Sequence, residues 1–149
     1  MAEFHLAQFN LARLLAPLDS PQLADFVGSL ERINALADDS PGFVWRLQGD
    51  GGDATSLRPF GEDVIVNMSL WESVEAVFDF VYRTAHAPVM AKRRQWFAKP
   101  DGVFTVLWWV KAGHIPTVED ARARLDILQR KGPSPAAFSF KTRFPAPAR

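Results

Sequence analysis

Cysteine is absent from the 149 residues, which excludes disulfide staples, thiolate catalysis and Cys-ligated zinc. Excess charge of one sign is absent too. With 17 Lys and Arg against 17 Asp and Glu, the overall charge offers no attraction to nucleic acid or to an anionic membrane surface. The longest apolar run, Val103 to Val110, is far short of the roughly 20 residues that cross a bilayer. Met1-Ala2-Glu3-Phe4-His5 lacks both a basic segment and an apolar stretch of secretory type, so a cytoplasmic protein without nucleic-acid or membrane partners is expected. Neither His-x-x-x-His spacing, nor a Gly-rich phosphate loop, nor a Gly-x-Ser-x-Gly elbow occurs, and the expectation is no metal and no cofactor.

What the chain has in abundance is aromatic surface: 12 Phe and 5 Trp, a load that needs a core, an interface or a ligand pocket to bury it. Alternation over residues 3–11 reads as a strand, with Phe4, Leu6 and Gln8 on one side and His5, Ala7 and Phe9 on the other. Ser20-Pro21 opens a helix over 21–38, Ser20 as its cap, with Phe26, Leu30, Ile33, Leu36 and Ala37 near one face. Strands follow at Phe43–Gln48 and about Asp63–Leu70, joined by a Gly-rich hairpin loop over 49–58. Ser73 caps a second helix with Val74, Val77, Phe78 and Val81 inward; Pro88 interrupts it, and a short helix over 88–97 follows. Val103–Lys111 is a strand apolar on both faces. The order βαββαβ is the ferredoxin-like pattern, giving one α+β domain over 1–149 with its core in 1–112. Residues 113–149 form an extension: a helix over 118–130 capped by Thr117, then an added strand through Phe138, Phe140 and Phe144. A four-stranded sheet of this type leaves one face bare. Both faces of the last core strand are apolar, so pairing with an identical chain, a homodimer, is expected to cover it.

At Trp71-Glu72-Ser73-Val74-Glu75-Ala76, with an amphipathic helix and a histidine downstream, the chain resembles the dimeric α+β barrel superfamily, which includes antibiotic-biosynthesis and haem-degrading monooxygenases. Arg93-Arg94-Gln95-Trp96-Phe97, Leu107-Trp108-Trp109, Gly113-His114-Ile115-Pro116-Thr117 and Ala137-Phe138-Ser139-Phe140 look like one branch of it, a domain of unknown function. The resemblance implies a small-molecule pocket in which Asn67 and Trp71, four positions apart, are joined by Asn10 on the first strand. It also makes His86 the candidate on the second helix for iron, as in haem-degrading relatives. Apart from the resemblance, a neutral His86 just before Pro88, near a helix N-terminus whose dipole disfavours the imidazolium, is suited to act as a base or hydrogen-bond partner. Strand phase groups Asn67 with Ile65, Ser69 and Trp71, a partly polar face suited to a cavity.

The candidate catalytic residues are thus Asn67, an uncharged hydrogen-bond donor for a developing oxyanion, and His86. Candidates for holding an aromatic ligand are Asn10, Trp45, Trp71, Tyr82, Arg94, Trp96 and Trp109. Of Trp45 and Arg46, adjacent on a strand, only one faces a given side. The leading reading is a cofactor-independent monooxygenase of phenolic or polycyclic substrates. The alternatives are a non-catalytic binder of a hydrophobic ligand or haem, and a structural dimer whose interior is plugged by Trp45, Trp71 and Trp109.

Overall fold

A computed structural model describes residues 3–48, 58–83, 93–99 and 104–147. The alternating first segment forms β1 (Phe4–Arg13) in the middle of an antiparallel sheet. Its neighbours are β3 (Val64–Trp71) and β4 (Thr105–Lys111), and β2 (Phe43–Arg46) lies outside β3. The order β2-β3-β1-β4, with α1 (Ala24–Asp38) after β1 and α2 (Val74–Arg83) after β3, is the ferredoxin-like arrangement that the pattern implied. A helical turn, α3 (Arg93–Trp96), precedes β4, and α4 (Val118–Lys131) follows it. The expected Gly-rich loop up to residue 57 and the whole segment 84–92 lie outside the described residues. Among the described residues no helix is long and apolar enough to cross a membrane.

Register sorts the strand residues onto two faces. Leu6, Gln8, Asn10 and Ala12 of β1 lie beside Trp71, Ser69, Asn67 and Ile65 of β3 and beside Trp109, Leu107 and Thr105 of β4. This is the helix-bearing face, where Ala37 of α1 and Val74, Val77 and Phe80 of α2 join Leu6, Trp71 and Leu107 in one cluster. The opposite face carries Ala7 and Phe9, Met68 and Leu70, and Val106 and Trp108.

That opposite face is not bare. Ala121, Leu125 and Leu128 of α4 pack across it, leaving Phe9 0% exposed and Trp108 1% exposed. The extension therefore does within one chain what the sequence argument assigned to a second copy, and the bare face that motivated pairing does not exist in the folded chain. The expected C-terminal strand is also absent. Phe138 makes one antiparallel bridge to Leu107, and the chain then turns, Ser139 N–H donating to the Thr142 carbonyl at 3.3 Å, so alternation cannot continue. Within α2 it is Phe80 that is buried, whereas Phe78 sits half-buried against Phe140 and Arg143.

Local signals explain the helix ends. Ser73 Oγ accepts from Ala76 N–H at 3.1 Å, as expected of a cap. Ser20 does not cap: Pro21–Leu23 form a 3-10 turn, and the Leu23 N–H goes to the Ser20 backbone carbonyl at 3.2 Å instead. Gly42, with φ +83°, turns the chain from α1 into β2; a Cβ there would lie 2.6 Å from that of Ala76, so only glycine lets α2 approach.

Candidate ligand-binding cavity

Between α1 and the helix-bearing face of the sheet lies a cavity of about 260 Å³. Its presence explains why the apolar stripe of α1 is poorly buried: Phe26, Leu30 and Ile33 line the cavity and stay half-buried, and Ala37 is the one buried residue of the helix. Each end is an aromatic cluster. At one, Phe26 meets Trp96 at 5.4 Å and Phe97 edge-on at 5.0 Å. At the other, Trp71 meets Phe43 edge-on at 5.4 Å and Phe80 at 5.4 Å.

The floor between them is polar. Gln8 is 5% exposed and spends its amide on both neighbouring strand residues, donating to Asn67 Oδ1 at 2.6 Å and to Ser69 Oγ at 3.1 Å. Asn10 Nδ2 donates to Gln8 Oε1 at 3.0 Å, and the Trp71 indole N–H donates to Ser69 Oγ at 2.8 Å. Because an indole can only donate, Ser69 Oγ is held as an acceptor. Asn67 is the one exposed residue of β3, so the row opens to solvent through it. The charged lining residues are Arg46, ion-paired to Asp38 at 2.8 Å, and Arg93, whose guanidinium lies 5.2 Å from the Phe104 ring. Among the described residues no carboxylate and no histidine lines the cavity. The arrangement suits a flat apolar body carrying an oxygen acceptor: the walls stack, the amides and arginines donate, and nothing described repels negative charge.

The structure brings Asn10, Asn67, Trp71 and Trp96 to this one cavity. It does not bring Trp45, Trp109 or Arg94 there. Trp45 is paired with Leu70 and packs on the opposite face, and Arg46 takes the cavity side, because a bulge between Phe43 and Trp45 shifts the phase of β2. Trp109 is absent from the lining; its indole N–H donates instead to the Phe144 carbonyl at 2.9 Å. Arg94 is exposed on α3, and its neighbour Arg93 is the lining residue. The side chain of Tyr82 and the whole of His86 lie outside the described residues. Gln8, Arg46, Arg93, Phe104 and Phe140 are lining residues that the sequence reading did not select. For Gln8 a signal existed, since its strand phase matches Asn10 one step along β1.

The family described as Domain of unknown function (DUF3291) matches residues 5–149. No curated protein matches the chain. Among solved structures, a protein of unknown function from Nitrosomonas europaea is 16% identical, with a TM-score of 0.47 over 78% of this chain and 99% of that one. SnoaB, a cofactor-independent oxygenase from Streptomyces nogalater, is also 16% identical, with a TM-score of 0.45 over 74% of this chain and 95% of that one. The fold assignment rests on the strand order and helix placement of this chain itself.

Proposed function

We propose, for a chain that belongs to the family Domain of unknown function (DUF3291), that the cavity binds a small planar molecule bearing a phenol or ketone and oxygenates it without a cofactor. The observation that carries this reading is the row Asn10–Gln8–Asn67–Ser69, four uncharged polar side chains joined by hydrogen bonds on the floor of a slot with aromatic ends. Such a floor presents preorganised donors to charge that develops on a ligand oxygen, and a flat ligand seated between the aromatic ends displaces water from them. Net, a phenol and one O2 give a quinone and one water; the substrate supplies the electrons, once loss of its proton has made it a carbanion. Asn67 donates to the oxyanion, Trp71 and Trp96 flank the ring system, and His86 is the candidate base. The plugged structural reading needs a filled interior, and the open cavity stands against it. A homodimer through the opposite sheet face would require α4 to leave that face, so the site is read on one chain.

The test is oxygen uptake by the purified protein with naphthols and anthrone, with binding followed by quenching of tryptophan fluorescence. Uptake matched one-to-one by quinone is expected, with kcat lowered about 10²- to 10³-fold in Asn67→Ala, the usual loss for one oxyanion donor. A base at His86 predicts that His86→Ala lowers kcat and abolishes the rise of rate with pH that deprotonation of a general base produces. Binding without uptake makes the protein a ligand binder; neither binding nor uptake refutes the reading.

A further inference from the structure

The cavity is completed by a residue from outside the ferredoxin-like core. Phe140 lies beyond α4, in the segment that passes the outer edge of β4 and lies over the helix-bearing face, and its ring is part of the cavity wall. The segment is fixed at several points. Leu107 and Phe138 exchange two backbone hydrogen bonds of 2.8 Å, and the Trp109 indole holds the Phe144 carbonyl at 2.9 Å. Arg143 donates through Nε to the Phe140 carbonyl at 2.9 Å, lies 4.9 Å from the Phe78 ring and reaches Glu75 at 3.7 Å. Phe78 in turn meets Phe140 at 6.0 Å. The Phe140 backbone is therefore anchored, and its ring is set against Phe78 of α2.

We propose that Phe140 sets the length of ligand the cavity accepts, so that the C-terminal extension determines specificity for a site whose polar floor belongs to the core. This rests on the reading of the cavity as a ligand site. The opposite end cannot yield in the same way, because Phe26, Trp96 and Phe97 pack on one another there with Leu23 and Ile65 beneath. Phe140 packs with the cluster that contains Trp71 and Phe80, so removing its ring lengthens the slot at that end while leaving Asn10, Gln8, Asn67 and Ser69 unchanged. A hydrophobic wall discriminates modestly but measurably, by about tenfold or more for a steric difference of this kind.

The experiment measures dissociation constants of 2-naphthol and 2-hydroxyanthraquinone, two and three fused rings, for the full-length wild type, Phe140→Ala, Phe140→Leu and Phe144→Ala, with thermal unfolding to confirm folding. Phe144 touches Phe138 but not the cavity, so Phe144→Ala perturbs the same segment without opening the wall. The expected result is an affinity ratio shifted about tenfold toward the three-ring compound in Phe140→Ala, less in Phe140→Leu, and unchanged in Phe144→Ala. If Phe140→Ala leaves the ratio unchanged, or Phe144→Ala shifts it equally, the wall assignment fails while the cavity reading stands. If the wild type binds neither compound, the cavity reading itself fails and takes this one with it. Phe140→Leu keeps the question decidable should the alanine variant not fold.

Discussion

Gln8 joins the two halves of the cavity floor, since its carbonyl accepts from Asn10 and its amide donates to both Asn67 and Ser69. Replacing it with leucine of similar volume leaves Asn10 and Asn67 without these partners. Both line the cavity, where water or ligand reaches them, so the stability lost should stay near the net worth of an ordinary hydrogen bond, about 0.5–1.5 kcal/mol. Asn67, however, loses the bond that orients its amide. Gln8→Leu is therefore expected to weaken 2-naphthol binding by about tenfold while urea unfolding moves little; a large stability loss with unchanged affinity would assign Gln8 to the core instead. At this scale the sequence was legible where spacing and strand phase suffice, as for Asn10, Asn67 and Trp71. It was misleading at Trp45, because Phe43 and Arg46, three apart, share the cavity face across a bulge, and a period of two cannot give that. The four-residue α3 is likewise too short for periodicity to separate Arg93 from Arg94.

Among the elements, α4 has its start written most fully in the sequence. Thr117 Oγ1 accepts from Asp120 N–H at 3.1 Å and Asp120 Oδ2 accepts from Thr117 N–H at 2.9 Å, a reciprocal cap. The Thr117 backbone N–H is the main reason the Asp120 carboxyl titrates below its ordinary value; partial burial opposes this, and the Thr117 hydroxyl and nearby His114 add to it. A carboxyl depressed in the folded state stabilises fully above its unfolded pKa of about 3.9, and the contribution is lost as pH falls through the lower folded value. Thr117→Ala is expected to cost about 1 kcal/mol at pH 7 by urea unfolding. Asp120→Asn should flatten the dependence of stability on pH below about 4, and an unchanged acid limb would refute the assignment. Helices were legible wherever a cap met an apolar stripe. The stripe of α1 was also legible, but what it faced was not: periodicity reports an apolar side without saying whether a sheet or a cavity lies beneath it. The C-terminal strand failed because alternation in Phe138, Phe140 and Phe144 carries no information about the turn at Ser139.

For the whole molecule, the decisive question is what covers the sheet face opposite α1 and α2. Apolar residues on both sides of β4 correctly implied that something must, yet the sequence could not say whether the cover came from another copy or from residues 118–131 of the same chain. Leu125 and Leu128, each 4% exposed, lie in the same cluster as Phe9, Met68 and Trp108, so α4 is that cover. The exposed large hydrophobics among the described residues, Leu15, Val27, Val44 and Ile115, belong to four separate segments. Burying a carboxylate under α4 has no compensating partner in this cluster, so Leu125→Asp should undock the helix rather than leave the charge inside. The face it uncovers is a continuous apolar surface of the kind that drives association. Sedimentation velocity is expected to show Leu125→Asp running heavier than the wild type at equal concentration, whereas Leu125→Ala should keep the wild-type mass and lose only about 2–5 kcal/mol of stability. The pair of variants separates the two roles of the residue. If Leu125→Asp keeps both the wild-type mass and stability, α4 is not what closes the sheet, and a second chain again becomes the required cover.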